Sequence, residues 1–218
     1  MAYGFLDIAT TPSVHAAQEA NGSAGLYDKA GANRSFDRFG PDEQAFIAAR
    51  DSFYMASVSE TGWPYVQHRG GPPGFVKVID DKTLAFADFR GNRQYISLGN
   101  TNANDRVALI MVDYPHRRRM KLYAHIEARA LAADPALAER LALPGYRAMP
   151  ERAFLLHLDA FDWNCPQHIT PRFTESEIAA AVAPLQARLA ELKAENQALR
   201  EALASAEGSA GAGFQPPP

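Results

Sequence analysis

Seven short segments between residues 53 and 164 are apolar or alternate between apolar and polar residues, which is typical of β-strands. Turn-forming pairs such as Asp80-Asp81 separate them, and few helices are long enough to connect parallel strands. The segments are residues 53–60, 64–69, 74–80, 83–89, 105–114, 120–131 and 152–164. We therefore predict a mainly β (α+β) fold in which the strands form an antiparallel barrel with short helices.

Short helices are predicted beside the strands. They begin at Pro41, span residues 92–104 and lie near residues 135–141. Asn92 is expected to cap the second of these helices, and the Gly99-Asn100 pair is expected to end it. Residues 1–40 show little periodicity and are predicted to form an irregular arm over the body of the protein, so the barrel domain occupies residues 41–173.

The composition changes at residue 174 to one dominated by alanine, leucine, glutamate, lysine and arginine, which favours a helix. Thr174 and Glu177 have the spacing of a capping box, so we predict a long helix over residues 174–206. Residues 207–218 are rich in glycine, alanine and proline and are predicted to form a disordered tail.

Apolar residues in this long helix repeat at alternating spacings of three and four residues. The series is Val182, Leu185, Leu189, Leu192, Asn196 and Leu199. This heptad pattern predicts a short parallel coiled coil over residues 182–203 between two copies of the chain. The alternative is a single amphipathic helix that packs on its own barrel, because both arrangements show nearly the same stripe over three heptads. Pro184 favours a kink near the start.

Composition and charge exclude several classes of partner. The net charge of −3 argues against nucleic acid or an anionic membrane as the main partner, because both require a basic excess. We expect no signal peptide and no membrane span, since no apolar segment is long enough. The single cysteine, Cys165, is typical of a reducing compartment, so a cytoplasmic location is expected. The six histidines form no metal-binding motif, and no metal site is predicted.

The segment "FADFRGNRQ", residues 86–94, has the features of a phosphate-binding turn. A strand ends there, Gly91 is expected to relax the backbone, and the helix that follows begins with N–H groups that have no intrahelical partner. Arg90 and Arg93 add positive charge that suits a phosphate monoester. The alternative is a solvated turn that contains two arginines by chance.

Two further segments combine cations with strands. In "HRRRMK", Arg119 and Lys121 alternate with apolar residues and are expected to share one strand face, with a solvated loop as the alternative. In "QHRGGPPG", glycines beside a strand are typical of close approach to a ligand. A bulge and a tight turn would also explain these glycines but would give His68 and Arg69 no role.

The segment "FDWNCPQHITPRF" places Cys165 and His168 shortly after the last predicted strand. A cysteine near a histidine is the arrangement of thiolate nucleophiles, but no residue that would orient the histidine is recognisable. Simple packing is therefore the favoured interpretation of Cys165, and no catalytic residue is assigned.

These segments together resemble the flavin-binding split-barrel family of pyridoxamine 5′-phosphate oxidase over about residues 41–173. "FADFRGNRQYISLGNTNANDRVALIM" is similar to the family's strand, Ser-Arg-Lys turn, helix and buried strand, with Asn92 at the serine, Arg93 at the phosphate-binding arginine and Gln94 at the lysine. "WPYVQHRG" resembles the family's strand that lines the flavin. "RRRMKLYAHIE" resembles the family's strand that reaches the cofactor from the second subunit. "DWNCPQHI" resembles a flavin-nucleotide-binding subgroup.

The resemblance implies an FMN cofactor, a homodimer with the cofactor at its interface, and an oxidoreductase that acts on an unidentified small substrate. The C-terminal arginine motif with which pyridoxamine oxidases hold pyridoxal phosphate is not recognisable, so oxidation of vitamin B6 is not implied. The alternative is a binding module without turnover that holds FMN, haem or the deazaflavin F420.

The same resemblance, together with the chemistry of the side chains, gives a set of expected cofactor-binding residues. They are Gln67, His68, Arg69, Gly70, Arg90, Asn92, Arg93, Gln94, Arg119, Lys121, Trp163 and Asn164. Trp163 is expected to form an apolar wall for the flavin ring. A protein proton donor near the ring is expected to be His68 or His168.

Overall fold

One antiparallel sheet of seven strands forms the body of the protein. The computed structural model describes residues 4–28 and 36–211. The strands are β1 (Ser52–Val58), β2 (Pro64–Gly70), β3 (Lys77–Val78), β4 (Thr83–Phe89), β5 (Arg106–Asp113), β6 (Arg118–Arg129) and β7 (Pro150–Asn164). Neighbouring strands pair in the order β2-β1-β5-β6-β7-β4-β3. The predicted mainly β fold is confirmed, although the third strand has only two residues.

The sheet curls until strands from its two ends meet. β2 is first and β4 is sixth in the strand order, yet the Arg69 guanidinium on β2 donates to the Asp88 carboxylate on β4 over 2.6 Å. A flat sheet would hold strands five positions apart at about 24 Å, because neighbouring strands are separated by about 4.8 Å. The contact therefore closes the sheet into the split antiparallel β-barrel that the sequence resemblance implies.

Alternate residues of the strands point into the barrel and form its core. On β1, Phe53 and Met55 are buried, whereas Tyr54 between them is exposed. The largest fully buried side chains are Phe53, Phe75, Phe86, Phe154, Phe161, Ile47, Met55, Leu84, Met111, Met120, Leu122 and Leu156. Burial of one such side chain stabilises a fold by about 1.5–3 kcal/mol, so this core fixes which face of each strand points inward.

Three short helices form in the described part of the N-terminal segment. They are α1 (Phe5–Ala9), α2 (Pro12–Ala20) and α3 (Ala24–Asp28). The prediction of an irregular arm over residues 1–40 is therefore wrong for this part, and the rest of the arm includes positions outside the described residues. Local capping explains α2, because the Thr11 hydroxyl accepts a backbone N–H of its first turn. Phe5 of α1 is buried and stacks on Tyr123 of β6 at 4.6 Å between ring centroids.

Three more helices lie before and between the strands. They are α4 (Pro41–Ala48), α5 (Ile96–Ala103) and α6 (Pro135–Leu141), and a single 3₁₀ turn lies at Leu131–Ala133. The predictions of α4 and α6 are confirmed, and each begins with a proline in its first turn. At α6 the Asp134 carboxylate caps the helix by accepting the Leu137 N–H at 3.0 Å. Helix α5 differs from its prediction at both ends, for reasons that concern the site described below.

The C-terminal part of the chain is a separate unit. The described chain divides into Met1–Thr170 and Pro171–Pro218, and helix α7 (Glu175–Gly211) accounts for most of the second unit. The predicted capping box is confirmed, because the Thr174 N–H donates to Glu177 at 2.7 Å and the Glu177 N–H donates to the Thr174 hydroxyl at 3.2 Å. The helix continues beyond the predicted end at residue 206, and residues 212–218 of the predicted tail lie outside the described residues.

None of the helices in residues 4–28 and 36–211 is both long and apolar enough to cross a membrane.

Candidate functional site

A cavity of about 220 Å³ opens where β2, the end of β4, the start of α5 and the start of β7 meet. Its walls include Tyr65, Gln67, Arg69, Asp88, Phe89, Gly91, Asn92, Arg93, Gln94, Tyr95, Ile96, Ser97, Leu98 and Glu151. Five of the residues predicted to bind a cofactor lie in this set: Gln67, Arg69, Asn92, Arg93 and Gln94. The closure of the barrel brings them together, although strand β2 supplies two of them and the turn between β4 and α5 supplies the other three.

The turn between β4 and α5 has an unusual backbone. Arg93 and Tyr95 have φ angles of 62° and 52°, in the left-handed region that costs a residue other than glycine roughly 1–2 kcal/mol. Gly91 was expected to supply this freedom but is not among the residues with positive φ. Strain of this kind persists where the surrounding structure enforces it, often beside a ligand site.

Asn92 does not cap the helix, so that prediction is wrong. Helix α5 begins at Ile96, and its N-cap position is occupied by Tyr95, which makes no side-chain cap hydrogen bond. The Asn92 carboxamide oxygen instead accepts the Gln94 N–H at 3.1 Å and closes a local turn. Gln94 also accepts from the Asn92 amide at 3.1 Å. The two side chains therefore hold the turn that presents Arg93.

Helix α5 also continues past the predicted stop at Gly99-Asn100 and ends at Ala103. Asn100 is buried, and its amide donates to the Ser57 hydroxyl of β1 at 3.1 Å. The Ser97 hydroxyl donates to Gln67 of β2 at 2.8 Å. These tertiary hydrogen bonds fix α5 against the barrel and outweigh the weak helix preference of glycine and asparagine.

The alternation of β2 separates two residues that the sequence analysis treated together. Arg69 and Gln67 point to the cavity, whereas His68 is exposed on the other face and contacts the Tyr54 ring at 5.5 Å. Successive side chains of a strand point to opposite faces, so His68 and Arg69 cannot line the same cavity in one chain. Gly70 ends β2 opposite Ser52 and is not among the residues that line the cavity.

A network of ion pairs crosses the floor of the cavity. Asp88 accepts from Arg69 at 2.6 Å and from Arg152 at 2.7 Å. Arg152 also donates to Glu151 at 3.2 Å. The side chains of Arg69 and Asp88 are only 14% and 9% exposed, and a buried charge is costly unless an opposite charge pairs with it. Asp88 therefore holds two arginines in fixed positions.

Arg90 has a different role from the one predicted. Its guanidinium donates to Glu151 at 2.9 Å, and it is not among the residues that line the cavity. The hydrogen bond from Arg90 is the main cause that lowers the pKa of Glu151 below its usual value of 4.5, with further hydrogen bonding from Tyr95 and the charge of Arg152. Glu151 is therefore ionised at neutral pH and pairs with Arg90 rather than leaving it available to an anion.

Two cationic groups at the cavity have unused hydrogen-bonding capacity. The Nε atom of Arg69 is buried and is one of two such side-chain atoms without a hydrogen-bond partner in the described part of the chain. Arg93 lines the cavity, and among residues 4–28 and 36–211 its guanidinium has neither a hydrogen bond nor an ion pair. An unsatisfied buried donor costs about 1–3 kcal/mol. Arg93 is exposed in the cavity wall, so its donors are accessible to an anion there.

The other predicted residues lie away from this cavity. Arg119 and Lys121 point outward from β6, where Lys121 pairs with Asp162 at 3.5 Å. The second buried atom without a hydrogen-bond partner in the described residues is Arg119 Nε. Trp163 donates from Nε1 to Glu43 at 2.9 Å.

Trp163 also packs against the core rather than against the cavity. Its ring meets Phe46 edge to face at 4.7 Å, and the Arg118 guanidinium lies 4.6 Å from the ring centroid. Asn164 pairs with Arg119 through the backbone at the end of β7, and its side chain lies outside the described residues. Within one chain, therefore, neither residue is brought to the cavity.

Sequence reasoning missed the acidic residues and one of the arginines at the site. Asp88 and Glu151 line the cavity, and Arg152 holds Asp88 from β7. A signal existed for Asp88, because "TLAFADF" is otherwise apolar and Asp88 is the one charged residue in it. No local pattern marks Glu151 or Arg152, because only strand pairing between β4 and β7 brings them near Asp88.

Cys165 and His168 do not form a nucleophile–base pair in the structure. Cys165 is exposed and has a free thiol. His168 has a φ angle of 62° in a turn. In the part of the chain that the structure describes, no hydrogen bond joins the two side chains, and the exposure of Cys165 shows that the expectation of simple packing is wrong.

Comparison with known proteins identifies the family. No curated protein matches the sequence. One similar solved structure is that of HupZ from Group A Streptococcus, with 15% identity, coverage of 62% of this chain and 99% of that chain, and a TM-score of 0.44. Another is an FMN-binding protein from Syntrophomonas wolfei, with 13% identity, coverage of 70% of this chain and 95% of that chain, and a TM-score of 0.44. A third is a FAD-binding protein from Mesorhizobium loti, with 16% identity, coverage of 58% of this chain and 94% of that chain, and a TM-score of 0.39.

The family model described as pyridoxamine 5′-phosphate oxidase matches residues 39–159, which include every strand from β1 to β6 and most of β7. This match covers more than half of the 218 residues and includes all residues of the cavity. The chain therefore belongs to the pyridoxamine 5′-phosphate oxidase family.

Proposed function

We propose that the cavity binds the phosphate end of FMN and that the protein is an FMN-dependent oxidoreductase acting on a small organic substrate. The observation that carries the proposal is that two arginines with unused donors in the described part of the chain line one cavity: Arg69, whose buried Nε has no hydrogen-bond partner, and Arg93, whose guanidinium has none. A phosphate dianion offers acceptors for both arginines at once.

The start of α5 adds donors to this arrangement. Ile96, Ser97 and Leu98 form the first turn of the helix and line the cavity. The N–H groups of a first helical turn have no intrahelical partner, and the helix dipole favours an anion at that end. Phosphate at this position would therefore receive backbone donors together with charged side chains.

The two carboxylates at the cavity hold arginines in fixed positions and at the same time lower the net positive charge of the site. Asp88 and Glu151 together engage Arg69, Arg152 and Arg90, which leaves Arg93 as the cation with full freedom to meet a ligand. Arg69 is fixed on Asp88 through one nitrogen, and its buried Nε has no hydrogen-bond partner in the described residues. A preorganised donor loses little entropy when the ligand binds, so a site of modest net charge can still bind tightly.

The size of the cavity supports a homodimer. A cavity of about 220 Å³ is smaller than the roughly 300–1,000 Å³ of typical cofactor and ligand sites. It suits the phosphate and part of the ribityl chain, and the flavin ring would then lie on a surface that a second chain covers. Arg119, with its buried unpaired Nε in the described chain, and Lys121 on the outer face of β6 are proposed to meet the cofactor from the partner.

When bound, FMN supplies the redox chemistry of such a site. The residues of this chain would hold the phosphate and fix the orientation of the cofactor, and Phe89 and Leu98 supply apolar parts of the cavity wall. The single exposed cysteine suits a reducing compartment, and we place the protein in the cytoplasm.

A second candidate is a module that binds a flavin or F420 without turnover. The residues that line the cavity include no histidine, cysteine or lysine, and the carboxylates among them are engaged by arginines. Of the hydroxyl groups in the cavity, Tyr95 donates to Glu151 and Ser97 donates to Gln67, so Tyr65 is the candidate proton donor within one chain. Visible absorption of the purified protein, followed by anaerobic titration with NADH or NADPH, distinguishes the two. Bleaching of a bound flavin supports the enzyme, and a stable yellow protein supports the module.

The Arg93→Ala variant is expected to bind FMN about ten- to a hundredfold more weakly, because one charge-assisted contact with phosphate is lost. Fluorescence titration of FMN measures the change. Arg129→Ala is the matched control, since Arg129 pairs with Glu127 and Asp134 away from the cavity. Equal FMN affinity in the two variants would contradict the assignment of Arg93.

A further inference from the structure

Helix α7 carries a complete heptad pattern on an exposed face. The d positions are Ile178, Leu185, Leu192 and Leu199, and the a positions are Val182, Leu189, Asn196 and Leu203. The exposed fractions of its leucine and isoleucine side chains run from 46% for Leu192 to 71% for Leu185, and Val182 is half-buried. Ile178 and Leu203 extend the series from Val182 to Leu199 by four residues in each direction.

The rest of the helix is polar or small. Alanine, glutamate, arginine, lysine and glutamine occupy most of the other positions between residues 179 and 202. A helix of 37 residues is about 55 Å long, and a narrow a/d stripe along most of that length is the seam of a coiled coil rather than the wide face of a helix in a globular core. The seam needs a partner with the same period.

We propose that the α7 helices of two copies of this chain form a parallel, two-stranded coiled coil. Asn196 selects this arrangement. In a parallel pair each a residue faces its own copy, so the two Asn196 carboxamides meet and hydrogen-bond to each other. In an antiparallel pair an a residue faces a d residue, and Asn196 would be buried against isoleucine or leucine without a partner.

The charged positions beside the seam are consistent with the same pairing. In a parallel pair a g residue lies near the e residue of the next heptad on the other helix, so Glu195 meets Arg200 with opposite charge on both sides of the seam. Arg188 would face Lys193, but Arg188 is already engaged by Glu191 of its own helix at 2.8 Å. This ion pair reduces the repulsion between Arg188 and Lys193 across the seam.

The proline does not interrupt the seam. Pro184 lies inside the continuous helix and occupies a c position, two residues after Val182, so its ring points away from the partner. The helix hydrogen bond that a proline removes is that of its own N–H. The coil is expected to be regular from Leu185 onward.

The proposal goes beyond flavin binding, and the two are tested separately. Leu185→Cys and Leu199→Cys, each in a Cys165→Ser background of the full chain, place one thiol at a d position. These sites are 14 residues, about 21 Å, apart along the helix. Ala187→Cys and Ala194→Cys, at f positions on the opposite side, are the matched controls. Each variant is oxidised at low protein concentration, and covalent dimer is measured by non-reducing gel electrophoresis.

Rapid self-cross-linking at both d positions, at least tenfold faster than at either control, is the expected result. Cross-linking at only one of the two d positions would overturn the parallel arrangement, because an antiparallel pair brings at most one such site near its own copy. Rates equal to the controls at both sites would also overturn the parallel coil and indicate that the seam pairs in another way, within one chain, in an antiparallel pair or on another protein.

FMN binding is measured on the same four variants. Unchanged FMN binding with no d-position cross-linking overturns the coiled coil alone. Normal cross-linking without FMN binding overturns the proposed function alone. Circular dichroism shows that each variant keeps its helix, so a loss of cross-linking cannot be attributed to unfolding.

Discussion

Replacing Arg69 with methionine is expected to weaken FMN binding at least about a hundredfold, since a buried charge-assisted contact with phosphate is lost. The arginine is fixed by Asp88 on one side, and its guanidinium lies 5.9 Å and 5.5 Å from the Phe86 and Phe154 ring centroids. Methionine fills a similar space against these rings. The affinity is measured by quenching of FMN fluorescence.

The chain provides a closely matched control for this variant. Arg50 pairs with Asp113 at 3.0 Å, and the exposed fractions of the two side chains, 14% and 9%, equal those of Arg69 and Asp88. Arg50 does not line the cavity. We expect Arg50→Met to lose stability as Arg69→Met does but to keep its FMN affinity. If Arg69→Met bound FMN as tightly as Arg50→Met, Arg69 would have no part in the site.

Replacing Asp88 with asparagine is expected to lower the free energy of unfolding by about 3 kcal/mol, because two buried guanidinium groups lose their shared counter-charge. Arg69 and Arg152 are 14% and 19% exposed, so solvent compensates little. For a chain of this length the melting temperature should fall by roughly 6–12 °C. Thermal unfolding followed by circular dichroism measures the loss.

The effect of added inorganic phosphate on the melting temperature tests whether Asp88 lies beside an anion site. Asp113→Asn is the control, because Asp113 is equally buried and pairs with Arg50 and His116 away from the cavity. Both variants are expected to lose stability. Added inorganic phosphate should restore the melting temperature of Asp88→Asn alone, because only there does it meet the freed arginines. Equal effects of phosphate on the two variants would argue against an anion site at this position.

The strands could be predicted from the sequence because the barrel core imposes a simple alternation. "MKLYAHIEARAL" shows it clearly, and β6 has Met120, Leu122 and Ala124 buried in that order. The pattern is readable since every second residue meets the same core. The third strand was overpredicted, because Phe75 and Val76 are buried without being part of the ladder.

The site was only partly predictable, for a physical reason. Arg69 and Arg93 stand out as cations beside glycines, and both line the cavity. The residues that hold the site together have no recognisable sequence pattern. Asp88, Glu151 and Arg152 come close to one another only because strands distant in sequence pair in the sheet. The left-handed backbone at Arg93 is likewise not indicated by a glycine, since the side chains of Asn92 and Gln94 hold that turn.

The N-terminal helices were not predicted, although local features of the sequence explain them. Residues 4–28 lack the long apolar stripe from which helices are recognised, so they were predicted to be irregular. Local caps and alanine-rich composition were sufficient for three short helices. A single large side chain, Phe5, then attaches the first helix to β6 through Tyr123, a contact that no local pattern indicates.

Comparison of FMN with riboflavin tests the central claim most directly, because the two ligands share the ring and the ribityl chain and differ only in the phosphate. Isothermal titration of both into the unmodified protein measures the difference. If Arg69, Arg93 and the start of α5 hold the phosphate, FMN should bind at least about a hundredfold more tightly than riboflavin, since two charge-assisted contacts are at stake. Equal affinities for FMN and riboflavin, or no binding of FMN, would contradict the account.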